Sequence, residues 1–378
     1  LEVAIQSNQL PEFFVGSELK KLVENDRIVA LDDLPGLEKL IESRKPYMRE
    51  ISHMFDGKTY SVPSAMTTRG LIYNKDMFKE AGLVDENGEP TPPKTFDELR
   101  EYAKRLTDKK KGTYGIVLPL KWTSWVSSDI EGLAPASFGR GAYNAADGTY
   151  DYTVMKPIIE TFLGIRDDES FYPGAEGLDN DPARARFAEG NIGMKLSYSF
   201  DVGVFNEQFP ASMDWGVAPL PVYDLNKTYH QPATMDIGLK ISKGAVDLLG
   251  EETAAEIYNW FYSDEIIKQL YAEGLEIPYS WDLVKDVEMK EEKKGWTEFC
   301  QMAEISAVTP LTMPKTKTDS FAELILNDIW TGNVTDIDKA LKQYSDKVNN
   351  AVAEYKGTYP DTDYSIYIKP EWNGELER

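Results

Sequence analysis

Apolar residues in this chain alternate between two spacings along most of its length. Short apolar runs bounded by turn residues predict strands: Phe13-Phe14-Val15 ahead of Gly16, then 59–62, 70–73, 115–118, 192–196, 215–218 and 237–241. Between them, apolar residues recur three and four positions apart. That spacing predicts helices over 17–27, from Thr95 onward, over 183–189 and over 254–272, the last with a break near Ser263. The helix from Thr95 carries its own start signal. Thr95 followed by Glu98 makes a capping box, and Leu99, Tyr102, Ala103 and Leu106 then fall on one apolar face. Gly190 is placed to end the 183–189 helix, and Pro219 and Pro221 stop the strand before them. The C-terminal third reads as mostly helical, with faces through Phe321, Leu324 and Ile325 and through Leu341, Tyr344 and Val348. Strands alternating with helices predict α/β units with parallel sheets covered on both faces.

A length of 378 residues suggests two such units, and 42% hydrophobic residues are enough to give each a core. No Gly/Ser tether divides the chain, so several short crossings are expected instead. A net charge of −23 repels phosphate backbones and anionic lipid, which disfavours nucleic acid and membrane-surface partners. Cys300 is the single cysteine and His53 and His230 the only histidines, so neither an internal disulfide nor a Cys/His zinc site can form. Acidic stretches at 85–89 and 179–181 lack the calcium-loop spacing and read as turns. No metal and no cofactor is expected. No phosphate-binding loop, dinucleotide fingerprint or GxSxG motif is present, and no run of about 18 apolar residues. The chain opens on LEVAIQSNQLPEFFVGS, which reads as the interior of a domain.

One stretch is recognisable. Residues 56–83, DGKTYSVPSAMTTRGLIYNKDMFKEAGL, with Tyr73-Asn74-Lys75-Asp76 and then Ala81-Gly82-Leu83, resemble family 1 extracellular solute-binding proteins of ABC importers, the maltose-binding-protein group. Three further blocks follow in the family's order: 92–99 (PPKTFDEL), 183–200 (ARARFAEGNIGMKLSYSF) and 216–221 (GVAPLP). The opening strand, helix and strand usual in that family do not precede Pro11. The resemblance implies a two-lobed periplasmic-binding-protein fold of the class II type, with a ligand cleft between the lobes and a multi-crossing hinge. One lobe is expected from 1–75 and 237–285, the other from 76–236 and 286–378. Crossings are expected near 74–77, 230–236 and 282–291.

The implied function is a receptor without catalysis. It would capture a carbohydrate and deliver it to ABC permease subunits, acting as a monomer outside the cytoplasm, lipid-anchored through a preceding segment. An aromatic content of 12% suits sugars, which present apolar C–H faces and polar edges. Two alternatives stand beside it: a carbohydrate-active enzyme with paired carboxylates, and a receptor for a solute other than sugar. By resemblance the ligand contacts fall on Ser17 and Glu18, on Thr67 and Arg69, on Trp122 and Trp125, and on Tyr198 and Phe200. Asp236 joins them from the second crossing, and Glu276, Tyr279 and Trp281 from a loop ahead of the third. Arg69 is also able to pair with a sugar carboxylate. His230 is expected to serve the hinge.

Overall fold

The computed structural model describes residues 10–372, except Ser17, Trp122 and the side chain of Trp125. The chain divides into two compact units, one of Leu1–Thr67 with Thr234–Glu292 and a larger one of Thr68–Ala233 with Lys293–Arg378. Three crossings therefore join them. The expected boundaries at 75, 236 and 285 move to 67, 233 and 292. The first moves because strand Arg69–Asn74 is an inner strand of the larger unit's sheet, paired on both edges.

That sheet runs Trp215–Ala218, Arg69–Asn74, Ile192–Tyr198, Tyr114–Ile116. The expectation of parallel sheets is corrected here. Arg69–Asn74 is antiparallel to both neighbours, and only Tyr114–Ile116 with Ile192–Tyr198 is parallel. The reason lies in the chain path: Arg69–Asn74 enters straight from a crossing and is not preceded by a helix packed on the same sheet. Helices Phe96–Leu106 and Lys156–Asp167 pack against one another, and the core gathers Leu71, Phe78, Leu99, Ile116, Phe162 and Met194.

Helix Phe96–Leu106 starts where the capping box places it. Thr95 Oγ1 accepts from the Glu98 backbone N–H at 3.2 Å, and Glu98 Oε2 accepts from the Thr95 N–H at 3.3 Å. Both bonds satisfy donors that a helix start would otherwise leave orphaned. Replacing Thr95 by Ala is expected to destabilise the larger unit by about 1 kcal/mol. A chemical-denaturation midpoint that does not move would contradict it.

In the smaller unit, helices Glu251–Phe261 and Asp264–Ala272 replace the single long helix, with Ser263 Oγ capping the second at 3.4 Å from the Ile266 N–H. Its core gathers Leu31, Leu37, Val62, Ile241 and Tyr258. Strand 59–62 shrinks to the hairpin Met54–Phe55 with Lys58–Thr59, and strand 237–241 to Lys240–Ile241 paired with Phe13–Phe14. A strand that periodicity did not predict, Gln231–Met235, carries the second crossing. Its first three residues pair with Ser306–Val308 in the larger unit, its last two with Met66 and Thr67 in the smaller.

Candidate functional site

Strand Ile192–Tyr198 is buried at every position, so Lys195 needs an anion nearby. Its ammonium is fully buried, donates to the Leu196 carbonyl at 2.8 Å and lies 4.0 Å from Asp201 Oδ2. Asp201, also fully buried, accepts from Arg184 and Ser197 as well. Drawing Asp201 inward turns the chain sharply at the strand end and leaves the preceding residue, Phe200, 48% exposed. The Phe200 ring lies flat on Tyr198, with centroids 5.1 Å apart and planes at 4°. Arg69 and Tyr198 are cross-strand partners, which sets the Arg69 guanidinium 5.1 Å from the centre of the Tyr198 ring. The same guanidinium donates to the Ser128 carbonyl at 2.6 Å. The result is a half-exposed aromatic ring resting on a buried aromatic that a fixed cation backs, with the Arg184 guanidinium 5.6 Å from the Phe200 ring centre.

Beyond Arg69, still within the larger unit, lies a cavity of about 330 Å³. Glu131, Tyr150, Tyr152, His230, Thr312 and Trp372 are among the residues that line it. Glu131 comes from Ser127–Glu131, a widened π turn that continues helix Thr123–Val126. Such turns re-aim side chains that a regular helix would carry elsewhere. The Tyr198 hydroxyl lies 3.1 Å from Asp129 Oδ1, while Asp129 Oδ2 has no hydrogen-bond partner among the described residues. Burial pushes the Asp129 carboxyl up to about 6, against the pull of Lys195 and Arg69. Burial likewise pushes Glu131 up to about 7, opposed by a hydrogen bond from Ser127 and by Lys315 and Arg69.

The smaller unit holds the other candidates. Asp236 accepts from the backbone N–H groups of Ser64 and Ala65 at 2.9 and 3.1 Å and so braces that turn. Tyr279 is 5% exposed, packed edge-on against Tyr47, and its hydroxyl accepts from Arg44 at 2.5 Å. Thr67 is half-buried beside Thr234, and Trp281 is half-buried edge-on against Tyr271. Glu18 is exposed and paired with Lys21 at 2.9 Å, and Glu276 is exposed ahead of strand Ile277–Pro278. Ser17, Trp122 and the Trp125 side chain lie outside the described residues. The structure thus brings together Arg69, Tyr198 and Phe200. Sequence reasoning missed Asp129, Glu131, Tyr150 and Tyr152. A signal for Asp129 was present: it shares an i, i+3, i+4, i+7 face with Val126, Ile130 and Leu133, where a carboxylate needs a reason.

Among the described residues no helix is long and apolar enough to cross a membrane, and no group of three or more His, Cys, Asp or Glu could hold a metal ion. The family model for bacterial extracellular solute-binding proteins matches residues 1–268. A maltotriose-binding protein of Pyrococcus abyssi is 28% identical over 295 residues, covering 77% of this chain and 59% of the relative. A galactooligosaccharide-binding protein of Bacillus subtilis is 25% identical over 290 residues, covering 74% and 60%. The chain thus spans less than two thirds of the length of either. Among solved structures, the maltose/maltodextrin-binding domain MalE from Bdellovibrio bacteriovorus, bound to maltotriose, superposes with a TM-score of 0.66 at 18% identity, covering 94% of this chain and 87% of that one. The raffinose complex of the solute-binding protein RafE gives 0.65 at 17%, covering 92% and 88%. These likenesses show the two-lobed solute-binding-protein fold.

Proposed function

Because this chain belongs to the bacterial extracellular solute-binding protein family, we propose that it captures a carbohydrate outside the cytoplasm and hands it to the permease of an ABC importer. The observation that carries the sugar reading is the exposed Phe200 ring, held flat on Tyr198 with Arg69 behind it. A rigid aromatic face suits the C–H face of a pyranose, and fixed polar groups at its edge suit the hydroxyls. The relatives named for maltotriose and galactooligosaccharide support the same class. In the smaller unit, Glu18, Thr67, Glu276 and Trp281 keep polar or aromatic surface accessible and are proposed as further contacts. Tyr279 and Asp236 are held by Arg44 and by backbone amides, and serve to shape that unit. The protein acts as a binding module, without turnover, and as a monomer.

Calorimetric titration with maltotriose, raffinose and galactooligosaccharides tests this reading. Binding with no product detected by chromatography is expected for at least one of them. A ligand at about 100 times its Kd should stabilise the protein by about 2.7 kcal/mol. Phe200→Ala should weaken binding roughly 10- to 30-fold, about 1.4–2 kcal/mol, and cost the unliganded protein about 0.5–1.5 kcal/mol for the lost ring stack. Hydrolysed sugar, or undiminished binding by Phe200→Ala, would defeat the respective claim.

A further inference from the structure

The cavity beyond Arg69 is set apart from the Phe200 face, since Phe200 and Tyr198 do not line it. Its volume of about 330 Å³ lies at the low end for ligand pockets, room for a ring and not for a long chain. Tyr143, Tyr150, Tyr152 and Trp372 give it apolar walls. Tyr150 and Tyr152 are buried and fixed, stacked at 10° with centroids 6.2 Å apart. The Tyr150 hydroxyl donates to the Met313 carbonyl at 2.7 Å, so this ring is not free to swing into the space. Thr312, exposed, stands at the rim. Glu131 also lines this partly open cavity, with Arg69, Arg140, His230 and Gln231.

We infer that this cavity is a subsite for one neutral sugar ring, whose neighbouring hydroxyls donate to the two oxygens of Glu131 while its apolar face lies against the tyrosines. The inference rests on the carbohydrate reading above and adds the site and its chemistry. An ionised carboxylate accepts at both oxygens, whereas a protonated one keeps a hydrogen in the way of the second donor. A ring bound through two hydroxyls therefore selects ionised Glu131 and expels its proton. The charged and titratable groups facing Glu131 are Lys315 and Arg69, which favour ionisation, with Tyr150, Tyr152 and Tyr344 around it. His230 and Arg140, the latter paired with Asp151 at 2.8 Å, line the same cavity, and Asp129 lies outside it. With the carboxyl titrating at about 7, ionised Glu131 is the minor form below that pH.

Calorimetry with maltotriose and raffinose between pH 5.5 and 8, in buffers of different ionisation enthalpy, tests the subsite. For whichever sugar binds, affinity should rise roughly 30-fold across that range, as the competent fraction does. Close to one proton should be released per sugar near pH 6. Glu131→Gln should bind with an affinity flat to within about threefold over the same range and release no proton. The proton count on the unaltered protein needs no variant, so it stands even if Glu131→Gln folds poorly. Sugar binding with a flat pH profile, or a profile that survives Glu131→Gln, overturns the subsite and leaves the carbohydrate reading intact. If neither sugar nor a galactooligosaccharide binds at any pH, the carbohydrate reading fails and the subsite falls with it.

Discussion

On acidification from pH 7 to 4.5 the two units are expected to move in opposite directions, the smaller losing stability and the larger gaining it. In the smaller unit the group responsible is His53. Its Nε2 lies 2.8 Å from the Asp236 carbonyl, which can only accept, so Nε2 carries the hydrogen. Nδ1 accepts from the Arg49 backbone N–H at 3.1 Å and is therefore bare. A second proton would have to enter against that N–H, in a buried site beside Lys240 and Arg49. Burial first, and then those two charges, depress His53 from 6.5 to about 4. A depressed histidine contributes stability that is complete above 6.5 and is lost as pH falls through 4. At about 1.36 kcal/mol per decade, the loss approaches about 3 kcal/mol.

The larger unit carries the reverse sign. Glu131 is raised from 4.5 to about 7 and Asp129 from 3.8 to about 6, burial leading in both. A raised carboxyl binds its proton more tightly when folded, so its contribution is complete below the unfolded value and is lost as pH rises through the folded one. For Glu131 this again amounts to about 3 kcal/mol across pH 4.5–7. Asp236 and Glu276 in the smaller unit are also raised by burial and work against His53 at the acid end. His53→Gln isolates the effect, because an amide can both donate to Asp236 and accept from Arg49 without charging. Hydrogen exchange followed by mass spectrometry, corrected for intrinsic rates, should show 31–62 losing protection at pH 4.5 and 114–131 with 192–201 gaining it. His53→Gln should erase the first change and Glu131→Gln reduce the second. Parallel loss in both units would sink the assignment.

How much of this was legible in the sequence varied with the kind of signal. Elements with a local code came through: the Thr95/Glu98 capping box, and the apolar run before Tyr198. The strand Gln231–Met235 did not, because its halves pair with different partners in different units, so no single alternation runs through it. The mixed sheet was also hidden, since strand direction depends on where the chain re-enters and not on composition. At the site, Tyr198 and Phe200 were reached by resemblance, and the Arg69–Tyr198 stack follows from register once the strands are paired. Glu131 was out of reach among 64 acidic residues: the helical spacing of Val126, Ile130 and Leu133 runs unbroken through the stretch and does not announce the π turn that carries Glu131 to the cavity.

Asp201→Asn is expected to cost the larger unit about 3–5 kcal/mol, the usual penalty for leaving buried charge without its partner. The carboxylate is fully buried and is shared by Arg184, by Ser197 and, at 4.0 Å, by Lys195. Arg184 retains Asp181 at 2.8 Å when Asp201 is neutral. Lys195 retains only its 2.8 Å bond to the Leu196 carbonyl among the bonds that hold it in the sheet. Neutralising both sides, as Lys195→Met with Asp201→Leu, should cost less than the two single changes summed, since neither member of the Lys195–Asp201 pair is then left charged without the other. Asp201 also follows Phe200 directly, so its loss frees the turn that presents the aromatic face. Asp201→Asn should therefore lower the denaturation midpoint strongly as well as sugar affinity, whereas Phe200→Ala lowers the midpoint by only the lost ring stack, about 0.5–1.5 kcal/mol. A destabilisation under about 1 kcal/mol for Asp201→Asn would mean that Lys195 is held without it, and that the turn owes its shape to packing.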